Sequence, residues 1–493
     1  MTKVAIVTGA AQGLASDGMD VAIIDLPAKK ESLEKVSGEI QALGRKSLSL
    51  IADVSKEQEV KDAVKHTVEI LGGLDVMVAN AGIYQAASMF DVSDELLDKV
   101  LGTNLKGVLY SYRAAALQMI QQGRGGRIIG ASSTSGIQST AANVPYAVSK
   151  FGVRAITQTA ALEWGQYGIT VNAYAPGIIL TPLVTESGGG PNGENYVNML
   201  MGNAAMKRVG QPEEVAALVS FLASDGASYV TAPTEDLYLR EVDECDFCSV
   251  RPQCVNEHFN AADGLNNNQF SLTIPKLNRY LVSKTPTARS MTRVAIVTGA
   301  AQGIGRAIAL RLASDGVDIA VNDITKQQTE VEQLIEEIKT LGQNAIAVLA
   351  DVSKEAEVQE MVSKTMVANA AVHGFASVLD VTDELFDWTM NVNCKGVLYC
   401  YRAAAAQMIN QGRGGRIIGA SMGGEMSVAY VASKFGVRAI TQTAALEWGE
   451  HNITVNAYAP GLIDTPMSIS AGNGASREQI IQAVRDYQCN NSV

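Results

Sequence analysis

The sequence predicts an α/β fold, built as two tandem doubly wound parallel-sheet domains. Three observations predict it. The first is self-similarity: residues 2–13 recur at 292–303, and residues 146–177 recur at 430–461 with 27 of 32 positions identical. A period this long belongs to a whole domain, not to a solenoid repeat. The second is alternation: within each copy, short β-branched runs alternate with longer helical patterns, which implies parallel strands joined by crossover helices. The third is composition. The chain has 493 residues, 47% hydrophobic and 18% charged, with 45 Gly, so it is globular and rich in small residues that suit close layer packing.

The charge balance narrows the partners. Lys+Arg total 39 against 51 Asp+Glu, a formal charge of −12, which argues against nucleic acid or an anionic membrane surface. No apolar run approaches ~18 residues, so no membrane span is expected. The N-terminal Met-Thr-Lys-Val-Ala-Ile-Val-Thr-Gly is short and strand-like, unlike a secretory leader. Six cysteines in so long a chain make no disulfide framework and favour a reducing, cytoplasmic compartment.

The elements follow in order, most fully in the second copy. Val294–Thr298 is a strand, Arg306–Ala313 a helix, Ile319–Asn322 a strand, Glu330–Leu341 a helix and Ala345–Ala350 a strand. Then come helix Val358–Thr365, strand Met366–Asn369, strand Arg416–Ala420, helix Tyr430–Trp448 and strand Thr454–Ala459. The strands are near-continuous apolar runs, as expected of a sheet covered on both faces. The domain reading is 1–232, then a linker over 233–290, then 291–493. The linker matches neither copy and holds Asn266-Asn267-Asn268, several prolines and three cysteines.

Two constellations carry chemistry. In the second copy, Thr298-Gly299 and Gly303-Ile304-Gly305 lie between a strand and a helix, where glycines permit a tight turn and close approach of a pyrophosphate. Asp323 ends the next strand, where a carboxylate accepts hydrogen bonds from a ribose 2′-OH and repels a 2′-phosphate. This favours NAD over NADP. Gly9, Gly13 and Asp25 are the first-copy counterparts. In the first copy, Tyr146 and Lys150 stand four apart on one helix face. A nearby cation stabilises a phenolate and lowers a tyrosine pKa towards working pH. Ser133 stands 13 residues before Tyr146, just past strand Arg127–Ala131.

With these motifs, and with Asp53-Val54, Asn80-Ala81-Gly82, Asn104, Pro176-Gly177 and Thr181-Pro182, both copies resemble the classical short-chain dehydrogenase/reductases over nearly their whole length. The resemblance implies a Rossmann-type fold and an NAD(P)(H)-dependent oxidoreductase. The stretches 123–132 and 172–177 look most like diacetyl/acetoin reductases, which implies a small ketone or secondary alcohol as substrate. By that resemblance Tyr146 is the general acid/base, Lys150 lowers its pKa and holds the nicotinamide ribose, Ser133 binds the substrate oxygen and Asn104 holds a relay water. Asp53 and Val54 contact adenine. Asn80, Ala81 and Gly82 line the cleft, and Pro176, Gly177 and Thr181 border the nicotinamide. Residues 185–203 form a lid. The matching second-copy residues are Asn393, Tyr430 and Lys434 for chemistry, with Asp351, Val352, Asn369, Pro460, Gly461 and Thr465 for the cofactor.

Each copy departs from the pattern. The first lacks eight residues matching 305–312, the third glycine and most of the first helix. About twelve residues then remain for a crossover that needs roughly 10–12. It also diverges after Thr231, where a last strand is expected. The second lacks nine residues matching 68–76, replaces Gly82 by Ala371, and has five fewer residues between Ser421 and Tyr430. Met422 aligns with Ser133 from the strand side, and Ser421 is a candidate substitute. Sharing one cofactor between copies would need the second copy's first strand–helix unit to enter the first copy's sheet. The competing functional reading is a catalytically impaired tandem relic that binds nucleotide or serves as an interaction module.

Smaller features complete the reading. Cys245, Cys248, Cys254 and His258 have ligand types that zinc accepts, but at the spacing of no zinc module, and no metal is expected. Trp164 and Trp448 are read as core or interface residues, and His66, His373 and His451 as surface residues. Family members usually pair through the Tyr–Lys helix and the helix before it. The two copies are therefore expected to form an internal pseudo-dimer, or to pair with other chains as a homo-oligomer.

Overall fold

The computed structural model describes residues 2–9, 13–187, 208–232, 234–236, 293–362, 367–421, 427–459 and 465. In the first copy the chain runs β1 (Val4–Thr8), α1 (Gly13–Ser16), β2 (Asp20–Asp25), α2 (Lys30–Ala42), β3 (Ser47–Ile51), α3 (Glu57–Leu71), β4 (Val76–Ala79) and α4 (Asp94–Leu101). It continues through α5 (Gly107–Gln122), β5 (Gly126–Ala131), α6 (Val144–Trp164), β6 (Ile169–Ala175), α7 (Pro182–Ser187), α8 (Pro212–Ala223) and β7 (Thr234–Asp236). The strands form one seven-stranded sheet in the order β3-β2-β1-β4-β5-β6-β7, and every pairing is parallel. The order reverses between β1 and β4. That crevice, at the carboxyl ends of the strands, is where open α/β sheets bind ligands.

Strands β1 and β4 are buried along their whole length, as their apolar runs require. Helix α3 buries Val60, Ala63, Val64 and Thr67, spaced as one helix face, and carries Glu57 and Glu59 in its first turn, where the helix dipole favours acids. Gly72 closes it in the left-handed conformation at φ 93°.

The shortened crossover holds. Four residues of helix, with Leu14 and Ala15 buried, carry the chain from β1 to β2. The strands keep full register from Val4 against Asp20 to Thr8 against Ile24. At the other edge the structure revises the reading of the C-terminal part. The last strand, absent from the pattern after Thr231, is supplied by the three residues of β7 beside β6. The sheet thus extends beyond the boundary drawn at 232. Backbone pairing needs no sequence match to the family.

The second copy runs β8 (Arg293–Thr298), α9 (Gly303–Ser314), β9 (Val317–Asp323), α10 (Gln328–Thr340), β10 (Ala345–Leu349), α11 (Glu355–Val362) and α12 (Asp383–Met390). Then follow α13 (Gly396–Gln411), β11 (Gly415–Ala420), α14 (Val428–Trp448) and β12 (Ile453–Tyr458). Its strands fall into two sheets, β10-β9-β8 and β11-β12. Of the expected strand Met366–Asn369, the described residues 367–369 make a single bridge, Ala368 with Gly419. Thr298 N donates to Val367 O at 2.9 Å and Ala368 N to Ile418 O at 3.2 Å, so this short segment still ties the two sheets together. The nine-residue loss takes out of the sequence the stretch matching 68–76, which in the first copy holds the end of α3 and the turn into β4. β8 pairs with β9 and not with any first-copy strand, which excludes the exchange of strand–helix units among the described residues.

The described parts of both copies belong to one compact unit. Helices α6 and α14 pack on each other, and Gly436 lets them approach: a Cβ there would lie 3.2 Å from Val148 Cγ1. Both helices are apolar nearly all round, because one face meets the sheet and the other meets the opposite copy. Trp448 is buried, its ring 5.4 Å from Phe90 of the first copy.

Polar contacts cross in matched pairs. Tyr110 Oη donates to Asp383 at 2.7 Å and Tyr399 Oη to Asp94 at 2.6 Å. Lys106 pairs with Asp387 at 3.0 Å and Lys395 with Asp98 at 2.6 Å. Burial and the adjacent carboxylates raise both tyrosine hydroxyl pKa values, so both phenols stay protonated donors.

Candidate active site

The crevice of the first copy is built from the ends of β1, β4 and β5 and the start of α6. Gly9, at φ 74°, turns the chain out of β1; a Cβ there would lie 2.9 Å from Asn80 Nδ2. Thr8 Oγ1 accepts from the backbone N–H groups of Asn80 and Ala81, both at 2.9 Å. Asn80 Nδ2 donates to Thr8 O at 3.0 Å, and Tyr174 Oη donates to Asn80 Oδ1 at 2.6 Å. This network locks β1 to β4 at the switch point. Asp25, at the end of β2, accepts from Leu26 N at 2.8 Å. Asp53 accepts from Ser55 N and Oγ, and Val54 is buried against Gly107 at the start of α5.

The Tyr–Lys pair stands beside this network. Lys150 Nζ lies 5.4 Å from the Tyr146 ring centroid and donates to Ala131 O at 2.7 Å. It is 3% exposed, and burial lowers its pKa to about 8. A Cβ at Gly82 would lie 3.3 Å from Asn104 Oδ1 and 3.6 Å from Lys150 Nζ, so those three residues converge.

Asn104 sits on a π-helical turn, Gly102–Lys106, a distortion that often marks functional positions. Its side chain accepts from Ile83 N at 2.8 Å and donates to Ile83 O at 2.9 Å and Ser149 Oγ at 3.1 Å. Ser133 is buried at the end of β5 and accepts from Ser135 N at 3.1 Å. Tyr84 meets Tyr146 edge-on at 5.0 Å. Pro176 O accepts from Thr134 N at 3.0 Å, which places Pro176 and Gly177 across from Ser133. Thr181 caps the segment that pairs Ile179 with Gly210. Of the expected lid, residues 188–203 lie outside the described residues.

The second copy reverses the balance. Gly303 opens α9, a twelve-residue helix with Ile304 and Gly305 in its first turn, where α1 has four residues. A Cβ at Gly305 would lie 2.2 Å from Gly299 O and 2.6 Å from Asn369 Nδ2. Only glycine fits, and the backbone is left bare where a phosphate would approach. This cradle suits a dinucleotide. Asp323 accepts from Ala301 N at 3.0 Å and Ile324 N at 2.9 Å, and burial raises its pKa. Those two bonds leave carboxylate lone pairs for ribose hydroxyls. Asn369 repeats the Asn80 network, donating to Thr298 O at 2.9 Å and accepting from Tyr458 Oη. Asp351 accepts from Ser353 N and Oγ, and Val352 is buried beside Gly396.

The chemistry side of this copy is crowded. Asn393 holds Val372 as Asn104 holds Ile83, and Lys434 Nζ donates to Ala420 O at 3.0 Å, 5.3 Å from the Tyr430 ring. Burial lowers Lys434 to about 8 and raises Tyr430. Ala371 puts a real Cβ where Gly82 has none.

Ser421 is not a substitute for Ser133. Its hydroxyl donates to Lys434 O at 3.4 Å and its N–H to Tyr458 O, as Ser132 does to Lys150 O and Tyr174 O. It is the counterpart of Ser132. Met422, Pro460 and Gly461 lie outside the described residues, as do Cys245, Cys248, Cys254 and His258; Thr465 is half-buried.

His373 also departs from its surface reading. Its ring lies 4.5 Å from that of Tyr430 and 4.2 Å from that of Phe375, and burial lowers its pKa. It occupies the place of Tyr84. The aligned Tyr84, itself unremarked in sequence, was the one available signal. A cavity of about 910 Å³ lies elsewhere, lined by Lys3, Asp17, Ser220 and Asp225 at the amino ends of the strands, away from this chemistry. Among the described residues no cluster of acids, histidines and cysteines could hold a metal ion, and no helix is long and apolar enough to cross a membrane.

A half-buried tyrosine beside a buried lysine at a switch-point crevice, with a glycine cradle in the other copy, defines a nucleotide-dependent α/β oxidoreductase class. The chain belongs to the short-chain dehydrogenase/reductase family. The family described as Enoyl-(Acyl carrier protein) reductase matches residues 2–235, and that described as short chain dehydrogenase matches residues 293–475. A short-chain dehydrogenase/reductase of Armillaria gallica is 47% identical over 245 residues, 47% of this chain and 93% of that protein. An L-2,3-butanediol dehydrogenase of Corynebacterium glutamicum is 39% identical over 246 residues, 47% of this chain and 95% of that protein. Among solved structures, a levodione reductase is similar at 31% identity and a TM-score of 0.46, over 48% of this chain and 96% of that one. The family matches and the two curated relatives make it an enzyme acting on CH–OH or C=O groups.

Proposed function

We propose that the chain interconverts a small ketone and its secondary alcohol, diacetyl or acetoin in type, with NAD(H), at the Tyr146 site of the first copy. The observation that carries the proposal is the convergence of Tyr146, Lys150, Gly82 and Asn104, with a buried ammonium 5.4 Å from the phenol ring. A bound nicotinamide would supply the hydride chemistry at the carbinol carbon. Ser133 orients the substrate oxygen by a hydrogen bond. Tyr146 Oη gives that oxygen its proton in reduction and takes it back in oxidation. Lys150, with one N–H spent on Ala131 O, keeps the others for the phenol and ribose hydroxyls. Asn104 fixes Ile83 beside them, and the relay water would use the lone pair left on its Oδ1. Residues 1–232, extended to Asp236 by β7, and 291–493 are read as the two domains, and a reducing, cytoplasmic compartment suits the buried free thiols Cys394 and Cys400.

NAD is favoured over NADP because Asp25 and Asp323 end the second strands of the two copies, where a 2′-phosphate would meet a carboxylate. A second reading rests on α1. With four residues of helix, the first copy offers a pyrophosphate little helix dipole, which favours a relic that binds nucleotide through the second copy alone. One assay separates the two. Wild-type chain that oxidises NADH with diacetyl, and Tyr146→Phe that does not, supports the enzyme. NADH binding without turnover in wild type supports the relic.

A further inference from the structure

We infer that Glu447 of the second copy is a positioning residue for the substrate-facing loops of the first copy's site. This rests on the Tyr146 site proposed above and adds to it a requirement for the second copy. The Glu447 carboxylate accepts from two first-copy backbone N–H groups, Met89 N at 2.9 Å and Ala142 N at 2.8 Å. Those residues lie on two segments that meet at a bridge between Ala87 and Asn143, so one carboxylate clamps both sides of it. Ala142 is held at φ 54°, a left-handed conformation that a non-glycine residue adopts only when its surroundings impose it.

A second grip lies three residues upstream. Ser139 N donates to Gln442 Oε1 at 2.9 Å, and Ser139 Oγ shares a 2.6 Å hydrogen bond with Thr443 Oγ1. From the clamp, a short chain of bonds reaches the chemistry: Asn143 Nδ2 donates to Ser135 Oγ at 3.1 Å, and Ser135 N donates to Ser133 Oγ at 3.1 Å. Tyr146 follows three residues after Asn143, in the first turn of α6.

One arm of the grip is repeated in the other direction. The matching acid of the first copy, Glu163, accepts from Val378 N, the counterpart of Met89, at 2.9 Å and 3.1 Å; the counterpart of Ala142 lies outside the described residues. The first copy's loops are gripped on both segments. A charge-assisted hydrogen bond is worth about tenfold or more in an equilibrium.

The test uses the full-length chain. In Glu447→Ala, amide exchange over 85–92 and 137–145 should accelerate about tenfold or more. KM for diacetyl should rise about tenfold with kcat within about threefold, and NADH affinity should stay unchanged. Glu447→Gln keeps the volume and one acceptor oxygen; it should fall between, and it carries the test if the alanine variant does not fold. Exchange unchanged at both segments, exchange raised across the whole chain, or an unchanged KM would each overturn the inference. A wild-type chain without turnover would sink the oxidoreductase reading instead, and the exchange data would still decide whether Glu447 clamps the loops.

Discussion

The two copies share most of their sequence and have lost different pieces, and the losses have unequal structural costs. In the first copy, eight residues of a surface crossover are gone. Yet β1 and β2 keep complete register, because buried apolar strands and their backbone bonds hold the pair without the helix. In the second copy, nine residues are gone from the turn before a central strand. That strand shrinks to one bridge, and the sheet divides into three strands and two. A crossover helix is more dispensable than the turn feeding a core strand. The chemical consequence is a separation: the Tyr–Lys–Asn constellation stands open in one half, and the glycine cradle stands intact in the other.

That contrast can be broken most sharply at the phenols. Tyr146→Phe should lower diacetyl reduction by about 10²–10⁴, whereas Tyr430→Phe, in the half with Ala371 and no Ser133 counterpart among its described residues, should leave the rate unchanged. Equal losses in steady-state assays would erase the distinction. At the cradle, Gly305→Ala drives a Cβ into Gly299 O. It should abolish nucleotide binding to the second copy, seen as one fewer equivalent in an NADH titration, and cost about 1–3 kcal/mol of stability by overpacking.

The contact between the halves predicts equality. Tyr110→Phe and Tyr399→Phe each remove one hydrogen bond to a carboxylate, and each should cost about 1.5–3 kcal/mol in denaturant unfolding. A large inequality would show that the matched contacts are not equivalent.

The smallest effect is the pH dependence of stability. Burial lowers Lys150 and Lys434 to about 8 from the ordinary 10.5. Between those values the unfolded chain binds more protons than the folded one, so each lysine makes stability rise with pH across that window. Lys150→Met and Lys434→Met should each flatten the wild-type slope of unfolding free energy between pH 8 and 10, by similar amounts.

Much of this was legible in the residues. The tandem repeat, the alternation of strands and helices and the two block losses follow from aligning the chain with itself, and the helices expected over Glu330–Leu341 and Tyr430–Trp448 fall where their patterns put them. Three things were hidden. β7 is made by backbone pairing of Thr234–Asp236, which no side-chain pattern announces. The role of Ser421 depends on which carbonyl its hydroxyl reaches, and two adjacent serines look alike in a string of letters. His373 gains its place from the fold of a loop, which brings its ring to Tyr430. Trp448, by contrast, was readable as buried, and the structure adds only that Phe90 of the other half covers it.

The helix-on-helix seam between α6 and α14 joins two stretches of the same polypeptide. In an assembly of identical subunits every substitution appears on both sides of the axis at once, and partners separate on dilution. Here each side is encoded separately, and the tether keeps the local concentration of one half around the other independent of how much protein is present. One half is thereby free to surrender its own reactivity while keeping the surface that its neighbour leans on.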